Sequence, residues 1–121
     1  MLSKKQLNLL KNQNVIVLTT SNKENQPRSI FVEATIISEN RIFITDNHLE
    51  NTVNNIKQNN KVFILAFKED YSYVFYIKGS ANYRIDGGIL EEIKNHPDNK
   101  GFKPKGVIEV LISDTEEPFN I

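Results

Sequence analysis

The 121-residue sequence contains no cysteine, and this single absence removes several kinds of site at once. Without cysteine the chain forms no disulfide framework, no thiolate metal site, no iron–sulfur cluster and no thiol nucleophile. Its two histidines, His48 and His96, are too few for a three-histidine metal site. We therefore expect no metal centre in this protein.

An excess of charge is also missing, because 15 Lys and Arg residues balance 15 Asp and Glu residues. A general nucleic-acid or polyanion binder carries a basic excess, so the composition predicts no nucleic-acid partner. The polar residue in excess is asparagine, with 16 copies beside 15 isoleucines. We expect many of these asparagines to lie on the solvated surface.

Long hydrophobic runs are absent as well. The longest continuous apolar run, Val62–Phe67, has six residues, whereas a membrane-spanning helix needs about twenty. The N-terminal segment Met1–Gln13 contains no apolar stretch and no small-residue cleavage site. The sequence therefore predicts a cytoplasmic protein with no membrane partner. Its length predicts one domain over residues 1–121.

The hydrophobic pattern predicts a mainly β fold. Helical patterns cover residues 3–12, 46–59 and 89–95, and strand patterns cover residues 15–20, 28–38, 41–45, 61–67, 71–85 and 106–113. Consecutive strands joined by short turns favour antiparallel pairing. Six strands with two or three short helices indicate a small six-stranded antiparallel β-barrel.

Catalytic motifs are not present in this sequence. It contains no Gly-x-Ser-x-Gly, no His-Glu-x-x-His and no phosphate-binding P-loop. The acidic residues Asp86, Glu91 and Glu92 are scattered and read most simply as solvated charges. His48 near the start of the second helix can contact an anion, although a plain surface residue is the commoner case. We therefore assign no catalytic residue.

The junction between the third strand and the second helix is the most informative segment. Asn51 and Thr52 lie in the helical turn that follows the end of the strand, and backbone N–H groups at a helix N-terminus together with polar side chains can hold a phosphate. An ordinary helix cap by Asp46 or Asn47 explains the same pattern. Arg28, at the start of the neighbouring strand, either pairs with a phosphate or lies on the barrel rim.

Five segments in order resemble the FMN-binding split-barrel proteins, the superfamily of pyridoxamine 5′-phosphate oxidase. The resemblance is nearest to the small homodimeric FMN-binding proteins. Residues 28–33 resemble the family's Arg-x-Val-Leu-Leu-Lys strand, and residues 43–46 resemble its Phe-Tyr-Thr-Asn. The other matching segments are residues 15–27, 55–62 and 76–86. The resemblance implies a split β-barrel.

The resemblance also implies a site, a cofactor and a partner. The implied cofactor is FMN, and the implied assembly is a homodimer with flavin sites at the subunit interface. The FMN-contacting residues that it implies are Arg28, Ser29, Ile30, Phe31, Val32, Ile44, Thr45, Asn51 and Thr52. The implied function is that of a flavin-dependent oxidoreductase or electron carrier. The C-terminal substrate-binding extension of the true oxidases has no counterpart, so we do not expect pyridoxamine-phosphate oxidation.

Two acidic residues depart from the family pattern. Glu33 stands where the oxidases have lysine, and Glu50 precedes Asn51 and Thr52 where the family has a basic phosphate ligand. Arg28, Lys100 and Lys103 are the cations expected to offset them. Two alternatives therefore stay open: the same barrel binding a deazaflavin or haem, or a dimeric binding module without a cofactor.

Overall fold

The computed structural model describes residues 1–99, 101 and 103–118, without the side chain of Asp98. The strands are β1 (Val15–Ser21), β2 (Pro27–Ile37), β3 (Arg41–Asp46), β4 (Lys61–Phe67), β5 (Val74–Arg84) and β6 (Gly106–Glu116). The helices are α1 (Lys4–Asn12), α2 (Glu50–Gln58) and α3 (Gly88–Lys94), followed by a 3-10 turn at Pro97–Asn99.

The six strands close into an antiparallel barrel in the order β1-β2-β3-β6-β5-β4, which confirms the predicted fold class. Side chains alternate between the two faces of each strand. In β1, for example, Ile16 and Leu18 are fully buried while Val17 between them is only half-buried. The apolar faces of α1 and α2 pack against this interior.

Helix α1 begins where the sequence predicts it. The Ser3 hydroxyl accepts from the Gln6 N–H at 3.1 Å, and the Gln6 side chain accepts from the Ser3 N–H at 2.9 Å. This reciprocal capping box satisfies two N–H groups that a helix end leaves unpaired. It fixes the first turn and directs Leu9 and Leu10 into the core.

Helix α2 is shorter than predicted and begins at Glu50 rather than at residue 46. Asp46 instead ends β3, where it pairs with Gly106 of β6. Its carboxylate accepts from the Leu49 N–H at 2.7 Å and so caps the turn ahead of the helix. Of the four residues that the sequence pattern assigned to the helix start, the sheet therefore holds Asp46, and residues 47–49 form the loop that follows it.

The β5–β6 pair is irregular near Gly79. The register shifts between Lys78 and Gly79, and a Cβ on Gly79 would collide with the backbone oxygen of Leu111. Helix α3 covers the outer face of β3 and β6 and forms a second apolar cluster around Phe43 and Ile93. Among the described residues no helix is long and apolar enough to cross a membrane.

Candidate functional site

A cavity of about 380 Å³ opens between β2, β3 and the loop that leads into α2. Ligand pockets in proteins commonly span about 300–1,000 Å³, so its size suits a small organic group. Its lining consists of Phe31, Val32, Glu33, Thr35, Thr45, Asn47, His48, Leu49 and Asn99. Two larger cavities, of about 530 and 630 Å³, are lined by none of the nine residues implied by the resemblance.

The aromatic wall of the cavity is Phe31, whose residue surface is 72% exposed. Strand alternation places Phe31 on the outer face of β2, while its neighbour Val32 is buried on the inner face. A large apolar side chain in contact with water is unfavourable by about 1.5–3 kcal/mol relative to its burial. Phe31 is therefore available to pack against a flat ligand or a second chain.

A pair of hydroxyl groups forms one polar corner. Thr35 Oγ1 and Thr45 Oγ1 are 2.8 Å apart, and both residues line the cavity. Thr35 is the extra residue of a β-bulge, because the β2–β3 register shifts between Ala34 and Ile36. Bulges redirect side chains at functional sites. Since one shared hydrogen bond uses only one of the two hydroxyl protons, the other is free to donate to a ligand.

A pair of side-chain amides forms the second polar corner. Asn47 Nδ2 donates to Asn99 Oδ1 at 3.1 Å. The other two amide atoms, Asn47 Oδ1 and Asn99 Nδ2, are buried and have no hydrogen-bond partner in the part of the chain that the structure describes. Asn99 is 3% exposed and is the one buried asparagine among the described residues. Unpaired buried polar atoms are rare in folded proteins and require an explanation.

The loop that carries Asn47 is held by the buried carboxylate of Asp46. One oxygen accepts from the Leu49 N–H, and the other accepts from the Tyr83 hydroxyl at 2.5 Å. Burial raises the pKa of Tyr83, and the hydrogen bond to Asp46 and its negative charge raise it further. The Asp46 carbonyl also accepts from the Lys105 N–H at 2.8 Å. These contacts fix the cavity wall from β5 and β6.

The cavity carries an acidic group and a histidine. Glu33 and His48 are both exposed and line it, whereas none of the described lining residues is Lys or Arg. Arg28 is also exposed and pairs with Thr20 of β1, five positions along β2 from Glu33. Five residues of strand span about 17 Å. Lys100, one of the cations expected to balance the acids, lies outside the described residues.

Three of the nine residues implied by the resemblance line this cavity: Phe31, Val32 and Thr45. Arg28, Ser29, Ile30, Ile44, Asn51 and Thr52 do not line it. Ile44 and Thr52 are almost fully buried, and Asn51 is exposed on α2. Ser29 makes a second hydroxyl pair, at 2.7 Å, with Thr19 of β1. The cofactor contacts assigned to these residues stay predictions.

Sequence reasoning missed four residues of the lining: Thr35, Asn47 as a cavity residue, Leu49 and Asn99. Asn99 is separated from Asn47 by 52 positions, and the general interpretation of asparagine as solvated surface is wrong for it. Thr35 enters through a bulge that no local residue pattern indicates. The one available signal was the position of Asn47 directly after a strand.

The outer face beside the cavity carries an apolar row across four strands. Phe31 pairs with Val17, Val17 pairs with Leu65, and Leu65 pairs with Tyr76 in direct register. All four side chains point away from the interior, and Phe31 is the most exposed of them. We call these four residues the outer row.

The fold is shared by solved structures of low sequence identity. HupZ from Group A Streptococcus aligns with a TM-score of 0.85 at 19% identity, covering 100% of this chain and 94% of that chain. An FMN-binding protein from Syntrophomonas wolfei subsp. wolfei has a TM-score of 0.78 at 15% identity, covering 95% and 84%. An F420 reductase has a TM-score of 0.74 at 15% identity, covering 95% and 98%.

At these identities the likeness establishes the fold alone. No curated protein matches the sequence significantly. The family profile described as "Pyridoxamine 5′-phosphate oxidase" matches residues 2–117, which is nearly the whole chain. With the closed six-stranded barrel, this match shows that the chain belongs to the pyridoxamine 5′-phosphate oxidase family.

Proposed function

We propose that the protein binds FMN in the cavity beside Phe31 and acts, as a homodimer, as a flavin-dependent reductase or electron carrier. The observation that carries the proposal is the convergence of Phe31, Val32 and Thr45 on one cavity. These residues lie on two separate strands that resemble two flavin-contacting motifs of the family. Two proteins of the same fold are an FMN-binding protein and an F420 reductase.

The cavity residues fit the head group of a flavin. An isoalloxazine is a flat apolar ring system with hydrogen-bonding atoms at one edge. The exposed ring of Phe31 offers an apolar wall, and the amide pair offers one unpaired acceptor and one unpaired donor. A bound flavin would supply the hydride or electron transfer, for which the protein needs to provide only binding, orientation and electrostatics.

The residues of this chain would then bind and orient the flavin, and they would form no covalent bond with it or with the substrate. The Thr35–Thr45 pair can donate one hydroxyl proton to a ring heteroatom, because the other proton is already shared. Val32 and Leu49 exclude water from the inner side of the cavity. The Asp46–Tyr83 hydrogen bond keeps the neighbouring loop in place.

The cofactor phosphate would need cations from outside the cavity lining. Glu33 disfavours an anion beside it, since two like charges about 8 Å apart repel by about 2 kcal/mol at an effective dielectric constant of 20 before screening. Solvent and salt reduce this repulsion because Glu33 is exposed. Arg28 is the candidate on the same strand. We infer that the flavin ring, rather than the phosphate, dominates binding in the cavity.

We further propose that the outer row is the homodimer contact. Four apolar side chains in register form a continuous stripe next to the cavity. Burial of such a stripe by a second copy removes apolar surface from water. The same contact would cover the exposed face of Phe31 and so place the cavity at the subunit boundary.

The visible spectrum of the purified protein, with mass spectrometry of any bound small molecule, tests the proposal. We expect a flavin absorbance band, or its appearance on addition of FMN to colourless protein, together with a dissociation constant in the micromolar range or below. A protein that stays colourless and does not bind FMN added in large excess would contradict the proposal. The remaining alternative would then be a dimeric binding module without a cofactor.

A second candidate is a different ligand in the same cavity, either a deazaflavin or haem. Its specific support is His48, which lines the cavity and can ligate iron. Titration with haem separates this candidate from flavin binding. A Soret band that is lost in His48→Ala and kept in His96→Ala favours haem, whereas a band unaffected by both variants rejects His48 as the ligand.

A further inference from the structure

The Asn47–Asn99 pair leaves one acceptor and one donor without partners among the described residues. The two amides share a single hydrogen bond of 3.1 Å, although two facing amides can form two. If both amides are turned by 180°, the shared bond reverses its direction and again one donor and one acceptor remain unpaired. One unpaired donor and one unpaired acceptor therefore remain whichever way the oxygen and nitrogen atoms of the two amides are assigned.

The two residues are held where they are by their own backbones. Asn47 follows Asp46, whose carboxylate binds the Leu49 N–H and the Tyr83 hydroxyl. Asn99 ends the 3-10 turn, and its N–H donates to the His96 carbonyl at 3.0 Å. Because both positions are fixed, the unpaired atoms cannot find other protein partners at low cost. They form a preorganised pair at the cavity wall.

We propose that this amide pair recognises the edge of a cis-amide, in which an N–H and a C=O lie side by side. This inference rests on the proposed function and specifies the part of the flavin that the amide pair binds, namely the imide edge of its pyrimidine ring. The N–H donates to Asn47 Oδ1 and the C=O accepts from Asn99 Nδ2. Both residues line the cavity, and Asn47, which is half-buried, is the more accessible of the two.

The chemistry of the pair argues against an anionic group at this position. A phosphate or a carboxylate offers acceptors only and would leave Asn47 Oδ1 unpaired. Glu33, which lines the same cavity, would repel it. A ligand whose N–H and C=O are adjacent satisfies both unpaired atoms at once and adds no charge. The class of ligand that fits the amide pair is therefore an uncharged ring system with an imide edge.

Binding of riboflavin and of N3-methylriboflavin tests the proposal, because methylation removes the imide N–H. We expect methylation to weaken binding to the wild-type protein by about tenfold, the usual cost of one lost buried hydrogen bond. In Asn47→Leu the methyl penalty should shrink to less than about threefold, since the acceptor of that N–H is missing, whereas in Asn99→Leu it should persist because Asn47 Oδ1 is still present. An equal penalty in the wild type and in Asn47→Leu overturns the proposal.

Unfolding of the ligand-free protein provides a readout that does not depend on flavin. The double variant Asn47→Leu/Asn99→Leu removes both unpaired atoms, so we expect its melting temperature to equal or exceed that of the wild type. A marked fall would show that the pair serves packing rather than recognition and would contradict the proposal. Asn54→Leu, at an exposed position of α2, is the matched control.

Lumichrome, which has the imide edge but neither ribityl chain nor phosphate, separates this proposal from the proposed function. Binding of lumichrome without binding of FMN supports the amide pair and rejects FMN as the cofactor. Binding of FMN with full tolerance of N3-methylation supports the proposed function and rejects the role of the pair. Binding of neither ligand rejects both.

Discussion

The Tyr83 hydroxyl donates a 2.5 Å hydrogen bond to Asp46 Oδ2 and so joins β5 to the end of β3 across the intervening strand β6. The ring of Tyr83 crosses Gly106 of β6, the residue that pairs with Asp46 in the sheet. A Cβ on Gly106 would lie 2.5 Å from the Tyr83 hydroxyl oxygen and 2.9 Å from the Arg84 carbonyl oxygen. Glycine at this position is therefore what allows Asp46 and Tyr83 to meet.

We predict that Gly106→Ala displaces Tyr83 and lowers the free energy of unfolding by about 1–3 kcal/mol, the usual cost of overpacking. Chemical denaturation measures this change. Gly88→Ala is the matched control, because a Cβ on Gly88 meets no atom within 4 Å. We also expect weaker flavin binding in Gly106→Ala, since Asp46 holds the loop of Asn47. A Gly106→Ala protein as stable as the Gly88→Ala protein would contradict this account.

Stability at alkaline pH should depend on Tyr73. Burial raises the pKa of Tyr73 to about 12 from 10.0, with further contributions from the hydrogen bond to Glu117 and its charge. The folded state therefore keeps this proton to a higher pH than the unfolded state does. The contribution of Tyr73 to stability is complete below about pH 10 and is lost as the pH rises through about 12.

Denaturation midpoints measured between about pH 9 and about pH 12 test this dependence. We expect the midpoint to fall with rising pH and to fall less steeply in Tyr73→Phe. Tyr83 contributes a slope of the same sign, so the single variant reduces the dependence without abolishing it. Tyr71→Phe, at a residue that is 68% exposed, controls for the loss of one tyrosine. Identical slopes in all three proteins would refute the role of Tyr73.

The Thr35–Thr45 hydroxyl pair should contribute to flavin affinity. We expect Thr45→Val to weaken riboflavin binding by about five- to tenfold, because it removes one hydrogen-bonding group from the cavity. Thr19→Val is the matched control, since Thr19 shares a similar cross-strand hydroxyl bond with Ser29 outside the cavity. Equal affinities of the two variants in a fluorescence titration would remove Thr45 from the site.

Glu33 should set the preference between FMN and riboflavin. In Glu33→Gln we expect FMN to bind several-fold more tightly while riboflavin binding changes little, because only FMN carries the phosphate charge. The gain should shrink as salt is raised, since exposed charges are screened. Glu24→Gln, in the exposed β1–β2 turn, is the control. An FMN-to-riboflavin affinity ratio that does not change in Glu33→Gln would exclude proximity of the phosphate to Glu33.

The outer row should control self-association. We predict that Leu65→Arg converts a dimer of two 13.9 kDa chains into monomers, because a charge in the middle of an apolar contact cannot be desolvated at low cost. Light scattering after size-exclusion chromatography measures the mass. Asn54→Arg adds the same charge on an exposed face of α2 and should leave the mass unchanged. A wild-type protein that is monomeric at high concentration would reject the proposed dimer contact.

The sequence alone predicted the strand content from local hydrophobic patterns, the small antiparallel barrel from the number of strands and short turns, and the family from the resemblance of five segments. The β-branched apolar run at the start of β1 and the capping residue Ser3 act within a few positions of sequence. The segment 28–33 carried enough of a family motif to point to β2 as a wall of the site. Phe31, Val32 and Thr45, which the resemblance implies as FMN contacts, line the same cavity, and their contact with FMN stays a prediction.

The tertiary structure alone decided where α2 begins and which polar atoms meet. Asp46 is a residue that a helix start accepts, yet its pairing with Gly106 and its bond to Tyr83 keep it in the sheet. Asn47 and Asn99 come together over 52 positions of sequence, through a loop and a 3-10 turn that no local pattern connects. Hydrophobic periodicity acts locally, whereas the pairing of buried polar groups depends on the closed barrel that brings distant segments together.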